Sequence, residues 1–136
     1  MAESTPGAAG MVQLPARGSF TEVWERLETA VAARQLIVFA RIDFAADASA
    51  VGLHMPPTRA LLFGNPRAGT PVMVAAPTAA LDLPLRILVW EKPGDAVFVG
   101  YNSPEYLAAR HGVPASLVAN LQPVAALAAA AAGTAA

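Results

Sequence analysis

The chain has no cysteine among its 136 residues, which excludes disulfide scaffolds, thiol catalysis, iron–sulfur ligation and the usual zinc ribbons and fingers. The same absence is the usage of a protein that needs no oxidising compartment. Charge is scarce too: Asp, Glu, Lys and Arg make up 14% of the chain, and 9 basic against 10 acidic residues leave a net charge of −1. There is no cationic excess to release counterions from a polyanion, so nucleic acid is not an expected partner. Histidine occurs twice, at His54 and His111, and with Met11, Met55 and Met73 it falls into no ligand spacing, so neither a metal nor a cofactor is expected. The opening MAESTPGAAGMVQ lacks the positive n-region and apolar h-region of a secretory signal. A run of roughly 18 to 20 strongly apolar residues, as a membrane span needs, is also missing by inspection. These absences together predict a cytoplasmic protein with no membrane partner.

What is abundant is alanine. Hydrophobic residues reach 55%, and 32 of the 136 residues are alanine. The length fits one domain that can bury a core without covalent staples. Residues 1–9 read as an N-terminal tail, 10–127 as a single domain and 128–136 as an alanine-rich C-terminal tail.

Local signals within the domain are clear in places. A weak first strand is expected around Met11 to Leu14. Ser19 followed by Glu22 is a capping box, and Phe20, Val23, Trp24, Leu27, Ala30 and Val31 then recur at helical spacing. Leu36 to Ile42 is β-branched and aromatic and too short for a helix, so it predicts a largely buried strand. Asp43 would cap a short helix closing at Gly52. Arg59 to Phe63 predicts another strand, stopped by Gly64-Asn65-Pro66. Thr70-Pro71 reads as an N-cap with proline at the first helical position, giving a short helix over Val72 to Ala76. Leu85 to Glu91 and Asp95 to Tyr101 alternate around Lys92-Pro93-Gly94 and predict an antiparallel hairpin. Ser103-Pro104 opens a helix that Gly112 stops, and Pro114 opens a last one that Pro123 should kink or split. The order predicts an α+β sandwich, an antiparallel-rich sheet with helices on one face.

Read together, Ile42-Asp43, Pro57-Thr58-Arg59, Phe63-Gly64-Asn65-Pro66, Gly69-Thr70-Pro71, Ala80-Leu81-Asp82-Leu83-Pro84-Leu85-Arg86 and Tyr101-Asn102-Ser103-Pro104 resemble the domain of unknown function 302 family. The resemblance covers about residues 10 to 127. It implies a β-α-β(4)-α fold of the kind seen in TATA-box-binding proteins, without their DNA-binding chemistry, and a homodimer. It implies no established activity. Family members often carry histidine after the Ile-Asp pair, where this chain has Phe44, which removes the imidazole that acid/base chemistry there would use.

Two groups of residues are candidates for a ligand site. Gly64 to Thr70 has the two glycines of a phosphate loop but Thr70 in place of its lysine, so no NTPase is expected. A weaker anion site survives, with backbone N–H groups at the start of a Thr70 helix aided by Asn65 and Arg67. Asp82 and Arg86 flank Leu83-Pro84-Leu85, and the bland reading is an ion pair between them. The functional one is Arg86 anchoring a carboxylate or phosphate beside Asp43 and Asp82. No Ser/His/Asp constellation follows from spacing, and His111 is placed in the last turn of its helix, where imidazolium favours the dipole. No residue is assigned as catalytic. The leading expectation is a non-enzymatic homodimer binding a small anionic or amphipathic ligand between sheet and helices, through Asp43, Asn65, Arg67, Thr70, Asp82 and Arg86. The alternatives are an enzyme using Asp43, Asp82 and Arg86, and a pure protein-interaction module.

Overall fold

The computed structural model describes residues 5–6 and 9–134. The capping box is formed: the Ser19 hydroxyl accepts from Glu22 N at 3.2 Å, and Glu22 Oε1 accepts from Ser19 N at 2.8 Å. It starts helix α1 (Phe20–Ala33), whose periodic residues Phe20, Val23, Trp24, Leu27 and Val31 are all buried. The strands are β1 (Thr5–Pro6), β2 (Met11–Ala16), β3 (Ile37–Asp43), β4 (Thr58–Gly64), β5 (Leu85–Lys92) and β6 (Ala96–Asn102). Every pairing is antiparallel, in the order β1-β2-β6-β5-β4-β3. The expected hairpin is β5–β6, turned at Pro93-Gly94-Asp95 with Gly94 at φ 92°. The remaining helices are α2 (Phe44–Ala50), α3 (Pro66–Ala75), α4 (Pro104–His111) and α5 (Pro123–Ala132), with 3-10 segments at Pro77–Leu81 and Ala115–Leu121. The fold is the expected α+β sandwich. Pro123 does split the last helical stretch, where a 3-10 segment ends and α5 begins.

One face of the sheet makes the core. Leu14, Leu61, Phe63, Ile87, Val89, Val97 and Val99 point to α1 and α5 and are buried. The positions between them face away, where among the described residues no helix lies across the central strands, so burial alternates along β5.

Five expectations are corrected. Strand β3 is not largely buried: it is the sheet's edge, with Ile37 and Phe39 about half exposed at 47% and 51%. An apolar run records a tendency to be strand and not how many neighbours will cover it. The helix expected to start at Thr70 begins one turn earlier. Asn65 is its N-cap, its side chain accepting from Arg67 N at 3.0 Å, with Pro66 at the first position. Thr70 and Pro71 therefore lie inside α3. The supposed tail from residue 128 is core: Ala128, Ala131 and Ala132 are fully buried in α5. Small side chains let α5 lie close against α1, and the Arg17 amide and Arg26 guanidinium hold the carbonyls of Ala132 and Ala131. Of the supposed N-terminal tail, Thr5–Pro6 pair with Gln13 and Val12, and residues 1–4, 7 and 8 lie outside the described residues. Finally, 115–132 does have the length and mean hydropathy (1.5) of a membrane span, but its buried residues pack within this fold.

Candidate functional site

A cavity of about 290 Å³ opens where β4 hands the chain to α3. Its walls come from three stretches: Gly64, Asn65, Pro66, Ala68, Gly69, Thr70 and Met73 on one side, Ala80, Leu83, Pro84 and Leu85 on another, and Phe39, Asn120 and Leu121 closing the rest. The peptide between Leu83 and Pro84 is cis. The lining is mainly apolar, and the volume is close to the lower end, about 300 Å³, of small-molecule pockets.

Gly69 has a particular place in that wall. It lies inside α3, where glycine costs roughly 0.5–1 kcal/mol relative to alanine. A Cβ built there would meet no atom within 4 Å, so neither packing nor a positive φ calls for glycine. Gly69 lines the cavity, and a Cβ there would stand in open space. Three polar side chains meet the apolar walls: Asn65, Thr70 and Asn120, the last anchored by its Nδ2, which donates to Ala68 O at 3.0 Å.

The expected anion loop is not formed, for a countable reason. Pro66 has no N–H, the Arg67 amide donates to the Asn65 side chain, and the Ala68 and Gly69 amides both donate to the Asn65 carbonyl at 2.9 Å. The first turn of α3 has spent the donors that an anion would need. Arg67 is exposed and does not line the cavity.

The other expected residues go to separate places. Asp43 is held twice: Oδ1 accepts from Ala46 N at 2.9 Å, capping α2, and Oδ2 pairs with Arg59 at 3.2 Å. Arg59 in turn lies 5.2 Å from the ring centre of Phe20 and 5.0 Å from that of Trp24. Asp82 does not pair with Arg86. Its Oδ2 takes Arg110 Nη1 at 2.9 Å and His111 Nε2 at 2.5 Å. Arg86 stands on the opposite, uncovered face of the sheet, exposed and without an ion pair among the described residues. Of the six expected residues, only Asn65 and Thr70 meet at one cavity.

Sequence reasoning missed the grouping of Thr78, Asp82 and His111. The imidazole is nearly buried, with Nδ1 2.9 Å from Thr78 Oγ1 and Nε2 against Asp82. Hydroxyl, imidazole and carboxylate in sequence have the order of a nucleophile, base and orienting acid. The exposed Thr78 lines neither the 290 Å³ cavity nor the far smaller pocket beside His111. The grouping ties α4 to the segment that supplies Ala80, Leu83 and Pro84 to the cavity, and so holds that wall in place. Separations of 29 and 33 residues left no periodic signal for it.

Among the described residues no cluster of three or more His, Cys, Asp or Glu could hold a metal. Tyr101, half-buried at the end of β6, has its phenol pushed above the ordinary value, first by burial and then by Glu105.

Comparison with known proteins adds three findings. Three Brucella proteins named fluoride-specific ion channel FluC are 39% identical over 105 residues, 77% of this chain; two of them are FluC 1 of Brucella suis and FluC 1 of Brucella abortus. The chain spans only about two-fifths of their length, 41% and 39% for those two. The crystal structure of an uncharacterized conserved DUF302 protein from Bacillus stearothermophilus superposes with a TM-score of 0.76 at 18% identity, over 95% of this chain and 100% of that one, which shows a shared fold. The family model described as Domain of unknown function DUF302 matches residues 12–131, which include every residue that lines the cavity. The chain belongs to the DUF302 family.

Proposed function

We propose that the protein is a non-enzymatic, cytoplasmic, homodimeric module that holds a small, neutral amphipathic molecule in the cavity between β4, α3 and the cis-Pro84 turn. The observation that carries the reading is the cavity itself: about 290 Å³, apolar walls, and the amides of Asn65 and Asn120 and the Thr70 hydroxyl as its polar partners. Apolar walls with a few convergent polar groups are the common plan of a small-molecule site. The spent donors of α3 favour a hydroxyl, carbonyl or amide over an anion as the ligand's polar end. Asp43 and Asp82 are each engaged by structural partners and stand apart from Arg86, which weighs against the enzyme reading. Ile37 and Phe39 on edge strand β3 support self-association, since an exposed apolar edge invites strand pairing. The absence of cysteine supports a reducing compartment. The channel name of the Brucella relatives belongs to whole chains of which this one spans a part, and the reading here concerns the shared module.

The test is titration with 1-naphthol, a neutral amphiphile, followed through the backbone amide resonances of α3 and Asn120. Saturable shifts of Gly69, Thr70 and Asn120 are expected in the wild type and should vanish in Gly69→Leu, whose side chain enters the open space. Equal affinity in that variant, or shifts spread over unrelated surfaces, would sink the proposal.

A further inference from the structure

The uncovered face of the sheet contains a second cleft, of about 250 Å³, separate from the cavity above and from the reading built on it. Strand register lays out its floor. Asn102 is level with Met11, and Leu62 with Arg86; Gly100 is level with both Gln13 and Leu88, and Leu88 with Ala60. Phe98 and Trp90 form the next row, their rings stacked with centres 5.7 Å apart. Gly100 is what lets the indole lie down on the sheet: a Cβ at that position would come within 2.9 Å of Trp90 Cζ3. The result is a flat apolar shelf of Trp90, Leu88 and Leu62, with Ile42 and Phe44 along one side.

Charge on this face has one sign. The outward strand positions of β2 to β6 carry Arg86 and Lys92 and no Asp or Glu, in a chain whose net charge is −1. Lys92 is already placed over the Phe98 ring at 4.6 Å. Arg86 has no ion-pair or hydrogen-bond partner among the described residues, although it lines the cleft beside Leu62, Leu88 and Asn102. A guanidinium offers a planar fork of donors that matches a carboxylate in two parallel bonds. A flat apolar shelf ending at that fork complements a molecule with a flat apolar body and one carboxylate.

We propose that the open face of the sheet is a binding site for an aromatic or acyl monocarboxylate, with Arg86 holding the carboxylate and Trp90, Leu88 and Leu62 receiving the apolar body. The Asn102 amide stands at the same end and supplies a further donor. No covalent step is involved.

The experiment compares 2-naphthoate with 2-naphthylmethanol, which keeps the ring system and drops the charge, through the amide resonances of β5 and β6. Saturable shifts at Arg86, Leu88 and Trp90 are expected with the acid, and binding weaker by roughly tenfold or more with the alcohol. Arg86→Gln should lose the same factor for the acid and close the gap between the two probes. Leu88→Glu, which places a carboxylate on the shelf, should abolish acid binding. Gly69→Leu should leave it unchanged, so failure of this site and failure of the α3 cavity are read separately. Equal affinity for acid and alcohol, an unaffected Arg86→Gln, loss of binding in Gly69→Leu, or no saturable shift because a second copy covers the face in solution would each overturn the proposal.

Discussion

Trp24 joins α1 to the sheet. Its ring is 6% exposed, its indole Nε1 donates to Glu28 Oε2 at 2.9 Å, and Arg59 lies over its face. Trp24→Ala removes the largest apolar group of the helix and leaves a cavity, so a loss of roughly 3–5 kcal/mol is expected in chemical denaturation. A loss below about 1 kcal/mol would contradict the packing described. Glu28 gives a pH signature beside it. Arg41 holds the Glu28 carboxylate with three contacts between 2.7 and 3.0 Å and, with the Trp24 indole, lowers its pKa below the ordinary 4.5, burial opposing in part. A carboxylate whose pKa falls on folding stabilises the protein above its unfolded pKa and loses that contribution as pH drops through the folded one. Melting temperatures of wild type and Arg41→Gln should therefore differ at neutral pH and converge as the pH falls below the ordinary carboxylate range. A constant gap across the range would assign the effect to packing of the Arg41 stem. The helical periodicity placed Trp24 on the inner face. Its partner Arg59 was not legible, because it arrives from a strand 35 positions away and only pairing of β4 with β5 and β3 sets it under α1.

At the scale of elements, the decisive case is α5. An alanine run has high helix propensity and little apolar area per residue, so in the sequence it is indistinguishable from a fraying end. In the fold it is a close-packed partner of α1 and the sheet, since small side chains allow near approach of two backbones. A chain ending at Leu127 removes Ala128, Ala131 and Ala132 from the core and frees Arg26 from the Ala131 carbonyl. Such a chain should lose its cooperative unfolding transition in circular dichroism. A melting curve matching the full chain would restore the reading of residues 128 onward as tail. The start of α3 has a related lesson. Asn65-Pro66 and Thr70-Pro71 are both a capping residue followed by proline, and local chemistry cannot rank them. The chain uses the first, because β4 ends at Gly64 and helix is available at once. Pro71 is then carried inside α3 as an exposed residue with no N–H to give the Arg67 carbonyl four positions before it.

For the whole molecule, the β3 edge and the uncovered sheet face are surfaces that a partner would meet. Self-association through the β3 edge predicts sedimentation near 28 kDa, twice the 14.0 kDa of the chain, at micromolar concentration. Ile37→Lys with Phe39→Lys should return it to one chain by placing charge on the edge. A wild type already sedimenting as one chain would end the dimer proposal. Capping boxes, turn residues and alternating strands were readable because each is settled by atoms a few residues apart, and that is why the Ser19 cap, the β5–β6 hairpin and the Gly112 stop stand where local chemistry puts them. Asp82 was visible as a charged residue in search of a partner, but whether Arg86 or His111 would meet it depended on the pleat turning Arg86 to the far face and on α4 returning over the 3-10 segment. Of the cavity, only the Gly64–Thr70 stretch stood out in local pattern: Pro84 and Asn120 are brought to it by sheet order and helix packing, contacts that no spacing along the sequence encodes.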